Sequence, residues 1–224
     1  MNYGKTEIKN LWKIIASGKS SILELRALWP AGIAPSKPPK TKLFRATEFE
    51  SIEGCRVALE DEALRLNDLG YNIYIVMNQI NESFSGGAVG DRDISYRDLL
   101  LIDIDRTEKK VEPATYDEVE AARVVANAIK ALMEDRGWSD PIRVMSGNGH
   151  HLYYPLSGME NNEESKFGIQ KLLINLARHF DNDIVKVDTV VFNASRITKV
   201  PGTIARKGIE SEGRPYRMAV LHED

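Results

Sequence analysis

Apolar and polar positions lay out a chain of alternating helical and extended segments. From Glu7 to Ala16, Ile8, Leu11, Trp12 and Ile15 fall on one stripe, which predicts a short amphipathic helix. Between Ser21 and Leu28 the apolar spacing fits helix and strand equally well, and Trp29-Pro30-Ala31-Gly32 ends the segment. Pro35 to Lys42 reads as an extended basic loop, a solvated surface segment. Ala58, Leu59, Ala63, Leu66 and Leu69 recur at helical spacing between Thr47 and Leu69, with Gly70 placed as the stop. Asn72 to Met77 follows as a strand rich in β-formers, and Asn81 to Asp93, carrying Gly86, Gly87 and Gly90, as a flexible loop.

The second half centres on Leu99-Leu100-Leu101-Ile102-Asp103-Ile104-Asp105, an apolar run of the kind buried on both faces of a sheet. Glu118 to Arg136 predicts a second amphipathic helix, with Val119, Ala122, Val125, Ile129 and Leu132 as its buried stripe and Gly137 as its stop. Ile142–Met145 and His151–Tyr154 read as strands joined by turn residues, a hairpin. Ser165 to Phe180 is a third helix with Phe167, Ile169, Leu172, Leu173, Leu176 and Phe180 apolar, and Asp188 begins a further apolar strand. Strands alternating with helices argue an α/β (α+β) architecture whose sheet faces are covered by helices. No linker divides the chain, so residues 1–224 are read as one domain.

Composition narrows the class. With 224 residues, 42% of them hydrophobic, the chain can bury a real core. A single cysteine, Cys55, excludes internal disulfides and an all-cysteine zinc site, and suggests a small buried apolar residue in a reducing cytoplasm. No apolar run is long enough to span a bilayer, and Met1 to Glu7 lacks a signal-peptide pattern, so no membrane partner is expected. The net charge of −3 predicts modest affinity for nucleic acid, subject to where lysines and arginines cluster.

Three constellations carry candidate chemistry. Side chains alternate along a strand, so Asp103 and Asp105 share a face, about 6.5 Å apart. Like charges that close are costly near a sheet interior unless a cation lies between them, and Mg²⁺ or Mn²⁺ suits oxygen ligands. A solvated strand edge is the plainer alternative. Ser146-Gly147-Asn148-Gly149-His150-His151 joins two strands. Its glycines let backbone N–H groups approach an anion, with the Ser146 hydroxyl and the His151 imidazole beside them, as a triphosphate cradle requires. A glycine hairpin with solvated histidines reads as well. Downstream, Asp188 offers a third carboxylate. Arg196 and Lys199 precede a Pro-Gly turn, suited to gripping phosphate or serving as ordinary surface charge.

In this order the three segments resemble the archaeo-eukaryotic primase superfamily, the primase-polymerases: an apolar strand ending in Asp-x-Asp, then Ser-x-His in a glycine-rich hairpin, then an apolar-flanked Asp. The phage, plasmid and CRISPR-associated members are the most alike. Their Ser-Gly-x-Gly-x-His matches Ser146 to His151, and their Arg-x-x-Lys-x-Pro-Gly-Thr matches Arg196 to Thr203. Spacing favours His151 over His150. Glu24 to Leu28 and Tyr74 to Asn78 also look like that group's first two strands, which would make Ile22–Leu28 extended.

The resemblance implies an RRM-like catalytic lobe, about 96–224, packed against an N-terminal α/β lobe, about 1–95, with the metal site in the cleft between them. It implies templated nucleotidyl transfer, with two Mg²⁺ or Mn²⁺ ions on Asp103, Asp105 and Asp188. Ser146, Gly147, Asn148, Gly149, His151, Arg196 and Lys199 would hold the nucleotide. Partners would be a single-stranded DNA template, a primer, a dNTP or NTP, and a helicase or accessory domain outside the chain. The zinc knuckle of many relatives is not expected, given one cysteine. Arg92, Arg97, Arg106 and Lys207 are further candidates for template or primer phosphates, each also readable as surface charge. Two other functions remain open at this point: a non-catalytic nucleic-acid-binding module on the same scaffold, and a metal-dependent nuclease or phosphodiesterase.

Overall fold

A computed structural model describes residues 3–15, 21–108 and 111–222. The first stripe is not one helix. It divides into α1 (Tyr3–Glu7), a 3-10 turn at Ile8–Asn10 and α2 (Leu11–Ile14), while Ala16 lies outside the described residues. Ile8, Leu11 and Ile14 are the buried residues, and a spacing of three stacks side chains best in the tighter 3-10 coil.

The ambiguous Ser21–Leu28 segment is extended. Strand β1 (Ile22–Leu28) pairs antiparallel with β2 (Lys40–Arg45) on one side and β3 (Asn72–Val76) on the other. The expected basic loop therefore ends early: Lys40, Thr41 and Lys42 belong to a strand. That strand is an edge, and exposed lysines there deter pairing with other chains, which is why its pattern looked like a loop. Helix α3 (Ile52–Asp68) begins where Ser51 caps the Gly54 N–H and covers this sheet with Cys55, Leu59, Ala63 and Leu66. A fully buried leucine in such a layer contributes about 1.5–3 kcal/mol.

After β4 (Gln79–Ile80), the 81–93 loop is held rather than loose. The buried Glu24 carboxylate accepts the Val89 N–H at 2.6 Å, and Arg26 donates to the Val89 carbonyl at 2.8 Å. Strand β5 (Ile94–Arg106) is longer than its apolar run, and α4 (Tyr116–Asp135) starts at a capping box formed by Thr115 and Glu118. Strands β6 (Ile142–Met145) and β7 (His150–Glu160) form the expected hairpin, with β7 running past Tyr154. In α5 (Glu163–Phe180), Phe167 is solvent-exposed, and the buried stripe is Ile169, Leu173, Leu176 and Ala177.

Next come β8 (Val185–Val187), β9 (Ile197–Lys199), β10 (Ile204–Ala205), β11 (Arg217–Met218) and β12 (Val220–His222). Asp188 thus follows a strand instead of beginning one, because the next residues turn: its own carboxylate accepts the Val190 N–H at 2.9 Å.

The strands form two main antiparallel sheets. The first has the order β2-β1-β3-β9. The second runs β12-β6-β7-β5, with β4 and β8 on the far edge of β5. Because β9 comes from residues 197–199, the first sheet is not purely N-terminal, and a boundary near residue 95 does not separate the layers. Helices α4 and α5 bury one face of the second sheet through Ile129, Met133, Leu173 and Leu176. Among the described residues no helix is long and apolar enough to cross a membrane.

Candidate functional site

Alternation along β5 sends Leu100, Ile102 and Ile104 to the helix-covered face and Leu101, Asp103 and Asp105 to the other. There they line an open cleft of about 400 Å³, whose opposite wall comes from the first sheet through Leu28, Asn72, Tyr74, Thr198 and Lys199. Two sheets that share no strand thus meet over one carboxylate pair.

Register places His151 of β7 directly opposite Asp103. Its Nε2 lies 3.3 Å from Asp103 Oδ1, and its Nδ1 lies 2.8 Å from the Tyr153 hydroxyl, itself 2.5 Å from Thr198 Oγ1. His150 faces the other side of the sheet, as alternation requires. Burial pushes the Asp103 carboxyl upward. The charge and hydrogen bond of His151, then Arg196 and Lys207, outweigh that and hold it below the usual carboxylate range. Asp105 goes the other way, raised first by burial and then by the charge of Asp103.

Asp188 sits one ladder position from Asp103, donating its N–H to the Asp103 carbonyl at 2.8 Å. Its carboxylate does not line the cleft; Oδ2 lies 4.0 Å from Arg196 Nη2. Among the described residues no three His, Cys, Asp or Glu side chains converge on one metal position. Asp103 and Asp105 still fit a hard divalent cation. Their mutual repulsion in a buried setting is what such an ion relieves, and Mg²⁺ commonly takes one or two carboxylates and completes its shell with water and phosphate oxygens.

The hairpin glycines serve a different purpose from the expected anion cradle. A Cβ on Gly149 would lie 2.2 Å from the Ile104 carbonyl, and one on Gly147, at φ +103°, would lie 2.4 Å from Ala205 Cβ. Their N–H groups are engaged, Gly149 with Ser146 Oγ at 3.2 Å and Gly147 with the Met145 sulfur at 3.0 Å. The turn is pressed onto β5, and it is Ser146 and Asn148 that reach the cleft.

Four cationic side chains face the carboxylates across the cleft: Arg196, Lys199, Arg206 and Lys207. Among the described residues, Arg196 Nε and Arg206 Nη1 are buried without a hydrogen-bond acceptor. Lys199 is buried and donates to the Ile204 carbonyl at 3.1 Å. Burial, then the charge of Arg206, drives its pKa well below the usual lysine value. A buried lysine and orphaned guanidinium donors are the electrostatic counterpart of an anion.

Arg206 was not apparent from sequence, though it adjoins Lys207. Asn72 clamps its backbone, accepting from N–H and donating to C=O, both at 2.7 Å. Thr198 was hidden inside the Arg-x-x-Lys spacing. Two other candidates fall away. Arg97 is buried and donates to the Phe192 carbonyl, and Arg106 is buried among the Pro113 and Glu112 carbonyls and Glu118, so both serve packing. Arg92 lies exposed in the 3-10 turn before β5, away from the cleft lining.

No family model matches the chain, and no curated protein matches it in sequence. Its fold has counterparts among solved structures. The primase RepB′ superposes with a TM-score of 0.53 at 11% identity, over 98% of this chain and 56% of that one. The catalytic domain of primase RepB′ in complex with initiator DNA gives 0.52 at 13% identity, over 98% of this chain and 84% of that one. The polymerase domain of Mycobacterium tuberculosis ligase D in complex with DNA gives 0.52 at 17%, over 91% and 76%. The chain has the mixed α+β fold of primase catalytic domains, and it spans little more than half the length of the first of these proteins.

Proposed function

We propose that this fold carries a template-dependent nucleotidyltransferase of the primase-polymerase kind. The observation that supports it is the polarity of one cleft, with a carboxylate pair at one wall and Arg196, Lys199, Arg206 and Lys207 around the rest. That is the complement of a metal-bound nucleoside triphosphate. Asp103 and Asp105 would hold Mg²⁺ or Mn²⁺, which supplies charge neutralisation at the transferring phosphoryl group. Asp188 would join them as a third carboxylate only by turning its side chain from Arg196 toward the pair.

The remaining groups position the reactants. A primer 3′-hydroxyl attacks the α-phosphorus as its proton passes to solvent, the new P–O bond forms, the α–β bridging bond breaks, and pyrophosphate leaves. Arg196 and Arg206 offer their unpaired donors to the β- and γ-phosphates, with Lys199 beside them. His151 fixes the orientation of Asp103. Such preorganised charge, aimed at developing negative charge in a site partly closed to water, accounts for most of the acceleration in phosphoryl transfer.

The test is primer extension on a single-stranded DNA template with labelled dNTPs or NTPs and Mg²⁺ or Mn²⁺, run beside the Asp103→Asn, Asp105→Asn double variant. Extension by the parent and none by the folded variant is expected. Equal extension by both would remove the carboxylates from the mechanism, and binding without extension by either would favour a non-catalytic module.

A further inference from the structure

On the helix-covered side of the second sheet, a groove of about 570 Å³ runs between β5, β7 and α5. Its apolar walls are Leu100, Leu156, Met159, Ile169 and Leu172, with Trp138 from the segment after α4. The nucleotide cleft opens on the opposite face of the same sheet, where Leu101, Asp103 and Asp105 point.

Gly168, in the interior of α5, also lines the groove. Its φ lies outside the left-handed region, and a Cβ there would meet nothing within 4 Å. Neither the backbone nor a neighbour requires glycine, a residue that destabilises a helix interior relative to alanine. Its effect is to leave the groove unfilled. The facing strand is irregular at the same place. Arg97 and Leu99 of β5 stand opposite Met159 and Pro155, so a step of two on β5 matches a step of four on β7. Inside that bulge Ser157 has φ +53°, a left-handed conformation that is costly for a residue other than glycine. Leu156 and Met159, on either side of Ser157 and Gly158, both line the groove.

Met159 is solvent-exposed, and so is Phe167, which neighbours Glu164 on the helix surface. The charged residues lining the groove are Glu160 and Glu164, both exposed at its rim. Neither is in an ion pair among the described residues, and Lys166 on the same helix is held by Glu163 at 3.2 Å.

This polarity selects the occupant. Two rim carboxylates repel a nucleic-acid backbone, and among the described residues they belong to no cluster that could hold a metal ion. Large apolar side chains fill such walls, and a cation beside them meets the rim. We propose that this groove docks a segment of a partner protein in which large apolar side chains stand next to lysine or arginine. Because the groove and the cleft lie on opposite faces of the sheet, the site does not depend on the nucleotide assignment, and its occupation leaves the cleft open.

The probe is a synthetic peptide of leucine and lysine, blocked at both ends and titrated into the whole protein. Its control carries glutamate in place of lysine, and the indole N–H signal of Trp138 is followed by NMR. A saturable shift with the lysine peptide alone is expected, while the signal of Trp29, at the cleft, stays fixed. Gly168→Leu places a good helix former in the empty space, so it should weaken binding about tenfold or more without lowering the melting temperature. Glu160→Gln combined with Glu164→Gln, at exposed positions that tolerate the change, should weaken it as well. Undiminished binding by Gly168→Leu, equal responses to the two peptides, or a Trp138 signal that never moves would overturn the site. So would a dimer of the parent that Gly168→Leu abolishes, since a second copy of the chain would then be the occupant.

Discussion

Asp103 and His151 stand opposite each other on β5 and β7, with the imidazole Nε2 3.3 Å from the carboxylate. The other ring nitrogen is tied through Tyr153 to Thr198 on β9, a strand of the first sheet. One side-chain relay therefore connects the carboxylate to both walls of the cleft. It also gives two neighbouring aspartates opposite electrostatic fates, and that difference can be measured.

Asp103→Asn and Asp105→Asn should move stability in opposite directions in metal-free protein. Removing Asp103 takes away a charge that His151, Arg196 and Lys207 favour, a loss of about 1–3 kcal/mol for a charge-assisted hydrogen bond. Removing Asp105 relieves a carboxylate disfavoured by burial and by Asp103, so that variant should melt no lower than the parent. Added Mg²⁺ should raise the melting temperature of the parent and of neither variant. Thermal melts with and without the ion check all three.

The pH dependence follows with its sign. Asp103 is lowered in the folded state, so its contribution is present above the ordinary aspartate value of about 3.9 and fades as pH falls through its folded value. Asp105 is raised, so its ionisation costs stability as pH climbs through its folded value. Cation binding needs Asp105 deprotonated. Mg²⁺ affinity should therefore begin to fall at a pH above the ordinary aspartate value, by up to about tenfold per pH unit. Calorimetric titrations across that range would show it; affinity flat down to the ordinary aspartate value would contradict it.

The parts of the site legible in sequence are those a single strand encodes. Asp103 and Asp105 follow from an apolar run with period-two alternation, and the choice of His151 over His150 follows from the same rule. What escaped notice depends on long-range pairing. Arg206 enters the cleft because Asn72, 134 residues earlier in the chain, clamps its backbone. Lys40–Lys42 looked like loop because an edge strand carries few apolar residues. The hairpin glycines suggested an anion nest, yet close approach to β5 explains them, and only coordinates of the facing strand could distinguish the two.

Gly149→Ala tests that last point. The added methyl would lie 2.2 Å from the Ile104 carbonyl, so the hairpin must lift from β5 or the strand must bend. A loss of about 1–3 kcal/mol is expected by chemical denaturation, the usual cost of overpacking. Ser146→Ala at the same turn should cost less stability, since it removes one 3.2 Å bond to the Gly149 N–H.

Lys199→Met separates binding from folding. The ammonium is disfavoured by burial and then by Arg206, so at neutral pH an isosteric apolar chain should keep or raise stability. The same variant removes a cation from the cleft and should weaken nucleoside triphosphate binding about tenfold or more, within the range for one charge-assisted contact. Burial, then Arg206, depresses the lysine pKa, so a phosphate bound beside it should raise that pKa. Parent protein should take up protons on binding, and the methionine variant should take up fewer. Calorimetry in two buffers of different ionisation enthalpy measures that difference, and equal uptake by the two proteins would place the buried lysine outside the nucleotide's reach.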